Sequence, residues 1–255
     1  MLLEARSITQ LFGSFRAVSD ADLDVAEGDI IGLIGPNGAG KSTFFNCLAG
    51  ETMPSGGRIV FDGRDLTRAS PEAHARAGIG RTFQVPTTFA DMSVIHNVMV
   101  GAFLRHPHRK DARDAALATI EFVGLKSVSH QRARSLGTPG RKRLEIARVL
   151  ATGPRLLLLD EALAGLNPGE IQTAIELVRR IHERGITLVI TEHSGDFLQG
   201  ADAHLELAKL ALARNNKATA REHATEARRL ATCDGPPDYT YKVAYDEAGE
   251  LLDRL

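Results

Sequence analysis

The run Gly35-Pro36-Asn37-Gly38-Ala39-Gly40-Lys41-Ser42-Thr43 fits the pattern G-x-x-x-x-G-K-[ST]. It stands between a continuously apolar stretch, residues 30–34, and a helix-patterned stretch, residues 42–49, the context that a phosphate loop needs. Glycines let the main chain fold around phosphate oxygens without Cβ clashes. The loop's N–H groups and the following helix start supply positive potential. Lys41 would set a point charge on the outer phosphates, and the Ser42 hydroxyl would coordinate Mg2+. A second chemical cluster is Arg155-Leu156-Leu157-Leu158-Leu159-Asp160-Glu161, an apolar run ending in two carboxylates. A buried parallel strand delivers its C-terminal end to the crevice where ligands bind. Asp160 is therefore expected to hold Mg2+, directly or through water, and Glu161 to polarise a water for attack on a γ-phosphate. The plainer alternative is two acids favoured by a helix dipole. Their pairing with the phosphate loop weighs against it.

Strands and helices must carry these groups. Residues 30–34, 156–159 and 186–190 are continuously apolar, as strands covered on both faces are. Residues 2–8 are mixed and 21–25 alternate apolar with acidic, which suits half-buried edge strands. Helical patterning covers 42–49, 112–123, 141–151 and 171–184, ended by Gly50, Gly124, Gly153-Pro154 and Gly185. Residues 51–70 read as a turn-rich hairpin. Strands alternating with helices predict an α/β fold with a mostly parallel sheet. Past about residue 198 the composition changes. Residues 201–231 are Ala-rich and helical, Gly235-Pro236-Pro237 breaks the run, and 239–255 resume a helix. The expected division is a domain over 1–197 and an all-helical hairpin over 198–255.

With 43% hydrophobic and 25% charged residues, the 255-residue chain is neither disordered nor fibrous. Its 31 basic and 32 acidic residues give a net charge of −1, so no global field draws it to nucleic acid or an anionic membrane. Two cysteines, Cys47 and Cys233, are too few for a disulfide framework and are expected to be packed thiols in a reducing compartment. No leader peptide is expected, and the apolar runs fall far short of the ~20 residues that span a bilayer.

The ordered set Phe12-Gly13, GPNGAGKST, GIGRTFQ (residues 78–84), RKRLEIAR (141–148), LLLLDE, AGLNP (164–168) and Thr191-Glu192-His193 resembles the ATP-binding subunits of ABC transporters. The wording of GIGRTFQ, SVIHNVMVG (93–101) and RKRLEIAR is most similar to the branched-chain amino acid importers. The resemblance covers about residues 2–193 and implies a phosphate-loop ATPase domain using ATP and Mg2+. It implies that Phe12 stacks on adenine. Gly35, Pro36, Asn37, Gly38, Ala39, Gly40, Lys41, Ser42 and Thr43 would cradle the phosphates. It also implies that Gln84 senses Mg2+ and the attacking water and couples the site to a permease through residues 85–93. His193 would contact the γ-phosphate and orient the water beside Glu161. A second ATP-binding subunit, identical or a sister, would close over the nucleotide. The chain would then sit in the cytoplasm, peripheral on the inner face of the cell membrane through integral permease subunits.

Three features depart from the family pattern. Leu136-Gly137-Thr138-Pro139-Gly140 lacks the usual Ser, and Pro139 cannot supply an N–H, so slower hydrolysis is expected. Asn167 stands where an Asp is usual. After His193 the chain leaves the pattern. Leu207, Ala208, Ala211, Ala220, Ala224 and Ala227 have the spacing of a single tetratricopeptide repeat, which an Ala-rich helical hairpin would equally show. The runner-up reading is a hydrolysis-poor ATP-binding switch whose helical tail recruits a protein. A soluble ATPase acting on ribosomes or DNA is disfavoured, because neither a second ATPase half nor a long coiled-coil insert is present. Nucleic acid is not expected as a partner, since no aromatic residues interleave the basic cluster Arg132, Arg134, Arg141, Lys142 and Arg143. His74, His96, His130 and His182 show no metal-ligand spacing.

Overall fold

The computed structural model describes residues 1–35, 38–83, 86–161, 164–193, 208, 216–231 and 248–255. Strand β1 (Leu3–Phe12) turns through Gly13 into β2 (Phe15–Val25). β3 (Ile30–Gly35) leads to α1 (Lys41–Leu48). The hairpin β4 (Gly56–Phe61) and β5 (Arg64–Asp65) falls where turn residues predict one. Next come α2 (Pro71–Ala77), β6 (Ile79–Arg81), α3 (Val94–Ala102), α4 (Arg109–Phe122) and α5 (Thr138–Leu150). β7 (Leu156–Asp160), α6 (Pro168–Glu183), β8 (Thr187–His193) and α7 (Lys217–Ala231) complete the order.

The strands divide into two four-stranded sheets. One is antiparallel in the order β2-β1-β4-β5; the other is parallel in the order β3-β8-β7-β6. β1 is not the edge strand its mixed composition suggests, since it pairs with β2 on one side and β4 on the other. The exposed positions of β1 face solvent while Leu3, Ala5 and Ile8 face the core.

β7 shows why the parallel sheet holds. Leu156 and Leu158 enter a core with Phe45, Ile59 and Phe61, while Leu157 and Leu159 enter a second core with Val98, Leu144 and Leu177. Each of the four is completely buried, worth about 1.5–3 kcal/mol apiece. A strand covered on both faces has no polar side to alternate, hence the unbroken leucine run.

Helix ends follow local chemistry. Ser70 and Ser93 accept from the amides of Ala73 and His96 and so start α2 and α3. Asn167 accepts from the Glu170 amide at 3.0 Å while Glu170 Oε2 accepts from the Asn167 amide at 2.9 Å, a reciprocal cap on α6. That cap gives Asn167 a local role that needs no negative charge. Cys47 is buried, and burial pushes its thiol up to about 11, so it is a packed thiol as expected. Cys233 lies outside the described residues. His74 sits between the carbonyls of Leu48 and Leu66, and His182 reaches the Gly28 carbonyl; both are packing residues.

Past β8 no strand occurs among the described residues. Ala208, Ala224 and Leu251 share one small core, and Ala220 and Ala227 are also completely buried. Small side chains thus stand at the helix contacts, at four of the positions expected from their spacing. Leu207 and Ala211 lie outside the described residues.

Candidate functional site

Gly40 ends the phosphate loop in a left-handed conformation with φ of 86°. A Cβ there would lie 2.2 Å from the Ala17 carbonyl oxygen, so β2 holds the loop against a position that only glycine can fill. Lys41, Ser42 and Thr43 form the first turn of α1, and no side chain caps that end. An uncapped helix start behind a glycine loop is built for an anion. Gly38 is also left-handed, with φ of 80° and open space where a Cβ would stand. Pro36 and Asn37 lie outside the described residues.

Sheet registry brings the other groups to the same edge. β8 lies between β3 and β7, pairing Gly35 with His193 and Asp160 with Thr191. The phosphate loop, the two acids and His193 therefore leave adjacent parallel strands at their C-terminal ends. His193 is described by its main chain alone. Asp160 is 2% exposed. Its Oδ1 accepts from Thr191 Oγ1 at 2.7 Å, and its Oδ2 accepts from an Arg81 guanidinium nitrogen at 3.0 Å. Glu161 is also buried and adopts φ of 49°. Its amide donates to the Thr191 carbonyl at 3.2 Å, and its carbonyl accepts from Lys142 Nζ at 3.0 Å. Such a conformation costs about 1–3 kcal/mol in a residue with a Cβ, and these bonds on both sides hold it.

Arg81 is a site residue that motif reading passes over. Its guanidinium bonds Asn46, Glu51 at 3.2 Å and Asp160, and lies 5.0 Å from the Phe83 ring centre. It ties α1 to the end of β7. Its side chain is 7% exposed and its Nε is buried without a partner. The available signal is an arginine in an apolar, glycine-containing strand, at the fourth position of GIGRTFQ. Glu145 and Arg148 on α5 likewise carry no motif signal that marks them as partners of the chain around Gln84. The Glu145 carboxylate accepts from the amides of Phe83, at 3.0 Å, and Thr87. Arg148 donates to the Thr87 carbonyl and stacks 4.8 Å from the Phe89 ring centre. Burial pushes the Glu145 carboxyl above its ordinary value and outweighs these two bonds. One turn of α5 therefore clasps the chain on both sides of Gln84, which itself lies outside the described residues.

Phe12 ends β1, is 52% exposed and pairs in register with Phe15. At the start of α5, Gly137 is the N-cap and Pro139 sits in the first turn, where a missing N–H costs the helix nothing. The Ser135 hydroxyl donates to Arg132 O at 2.7 Å, and Arg141 Nε donates to Leu136 O at 2.9 Å, closing this loop onto itself.

A magnesium ion fits the donors present. Among the described residues no three His, Cys, Asp or Glu side chains gather. Mg2+ at nucleotide sites takes one or two carboxylates, water and the substrate's own phosphate oxygens, so it needs no such cage. Both Asp160 oxygens are engaged by the protein, yet each keeps lone-pair capacity for a metal-bound water.

A family model described as ABC transporter matches residues 18–164, and the chain belongs to that family, whose cassettes hydrolyse ATP. Among its relatives is the high-affinity branched-chain amino acid transport ATP-binding protein BraF of Pseudomonas aeruginosa. The two are 35% identical over 220 residues, covering 80% of this chain and 86% of BraF. The corresponding protein LivG of Salmonella typhimurium is 37% identical over 215 residues, covering 78% of this chain and 84% of LivG. Among solved structures, the ADP conformation of an ATP-binding cassette of an ABC transporter superposes with a TM-score of 0.70. It is 30% identical, and the match covers 79% of this chain and 84% of that one.

Proposed function

We propose that this chain is the ATP-hydrolysing subunit of an importer for branched-chain amino acids. It works with integral permease subunits and a second ATP-binding subunit, at the inner face of the membrane. Among the described residues no helix is long and apolar enough to cross a bilayer, so the crossing falls to the permease. The observation that supports the reading most is the shared edge of β3, β8 and β7, where the glycine loop, Asp160, Glu161 and the backbone of His193 end side by side. The relatives' branched-chain specificity supports the choice of solute.

In this mechanism Phe12 stacks on the adenine, and the main chain of residues 35–43 with the Lys41 ammonium holds the triphosphate. The Ser42 hydroxyl, Asp160 and Gln84 would hold Mg2+, which when bound would neutralise charge on the triphosphate. Glu161 accepts the proton of the attacking water, and His193 and Gln84 orient that water. The second subunit binds the nucleotide only in the closed pair. ATP therefore favours closure by its differential affinity, and hydrolysis releases it. Through the Glu145–Arg148 clasp, movement of α5 on closure reaches the chain around Gln84.

The degenerate loop 136–140 supports a second reading, a slow switch that binds ATP and turns over little. Steady-state ATPase activity of the purified chain, alone and with membranes containing its permease, separates the two. Stimulated turnover favours the importer; bound ATP with no turnover under either condition favours the switch. Lys41→Ala should weaken ATP binding by about 10–100-fold in calorimetry, since a charge-assisted contact is lost. Unchanged affinity would remove the phosphate-loop assignment.

A further inference from the structure

A concavity of about 710 Å³ opens between the start of α3, the start of α4 and the chain just before α5. Its rim carries His96, Arg109, Lys110, Arg113, His130 and Arg132; Ile95 and Met99 form a buried apolar floor. Elsewhere on the surface arginines meet acids: Arg6 lies 2.6 Å from Asp24, and Arg155 lies 2.6 Å from Asp62 and 2.9 Å from Glu27. Here Arg109, Lys110, Arg113 and Arg132 form no ion pair with any described residue, although Asp111 and Asp114 stand on the same helix. The acid on the rim, Asp91, is engaged by Arg134 at 3.0 Å. In a chain of net charge −1 this is a local concentration of uncompensated positive charge.

We infer that this concavity binds the phosphate headgroup of an anionic phospholipid. Its orientation rests on the importer reading: Asp91 and Ser93, on its rim, end the segment 85–93 assigned there to permease contact. A surface beside a bound permease faces the headgroups around that permease. Exposed guanidinium and ammonium groups meet the phosphates. Each basic residue near an anionic membrane strengthens binding by ~5-fold, so the cluster sets the chain against the bilayer independently of nucleotide.

The test is sedimentation of the purified full chain with vesicles of phosphatidylcholine alone or mixed with phosphatidylglycerol. The expected result is binding to the mixed vesicles only. The triple substitution Arg109→Gln, Lys110→Gln and Arg113→Gln should lower it by about 100-fold, with ATP affinity and the melting curve unchanged. Lys41→Ala should leave vesicle binding intact, so loss of the nucleotide assignment and loss of this one are separately visible. Equal binding to both vesicle types, or a triple variant that binds as the native chain does, overturns the inference. So does displacement from vesicles by inorganic phosphate beyond that caused by chloride at equal ionic strength, because that would assign the cleft to a free phosphate compound.

Discussion

The end of β7 and the start of α5 lie on either side of the Lys142–Glu161 contact and are fixed in different ways. Asp160 and Glu161 leave a strand buried on both faces, and main-chain registry with β8 fixes them. The segment 136–140 is fixed locally instead: the Leu136 amide donates to Ala133 O, the Arg141 amide donates to Gly137 O as α5 begins, and Arg141 Nε donates to Leu136 O. Sheet registry cannot shift without breaking pairing with a neighbouring strand, whereas a helix start is fixed within its own turn.

Substitutions at the strand edge should accordingly cost far more than those on α5. The largest effect is expected for Arg81→Ala, which strands the buried Asp160 carboxylate. Breaking such a pair costs about 3–5 kcal/mol, read as a lowered urea midpoint. A loss below about 1 kcal/mol would mean that Asp160 finds compensation elsewhere, and would erase the contrast. Gly40→Ala comes next. Its Cβ meets the Ala17 carbonyl and its φ stays left-handed, so ~2–4 kcal/mol and most ATP binding should go. Retained affinity would show that the loop can move off β2.

The smallest effect belongs to Glu145 and is visible only against pH. Its folded pKa lies above the ordinary glutamate value of 4.5, because burial disfavours the charged form. The folded state therefore holds the proton more tightly than the unfolded chain. This stability increment is complete below pH 4.5 and disappears as pH rises through the folded value. Glu145→Gln should abolish that increment and flatten stability across this interval. A titration of stability identical in the two proteins would contradict the burial argument.

The same division governs what the sequence reveals. An unbroken Leu156–Leu159 run followed by acids suits a strand covered on both sides, so β7 and the place of Asp160 and Glu161 at its end are legible. So are the phosphate loop and the helices ended by glycine. β6 is not, because Ile79–Arg81 has three residues and lacks a measurable period. Gly80 is small there because a Cβ would stand 2.5 Å from Val149, a long-range contact that no local pattern records. Arg81, Glu145 and Arg148 were missed for the same reason: their partners are distant in the chain, and charged residues read as surface until the fold buries them. The mixed composition of residues 2–8 suits an edge strand although β1 is interior, because one half-exposed face looks alike in both.

In the proposed mechanism Glu161, at the end of β7, primes water against a phosphate held by the glycine loop. ATP affinity and steady-state turnover of Glu161→Gln, measured on one preparation, separate that role from nucleotide binding. The expected result is affinity within a few-fold of the native chain, with turnover down by about 100-fold or more and the ATP-bound pair persisting. Native turnover in this variant would contradict the assignment outright.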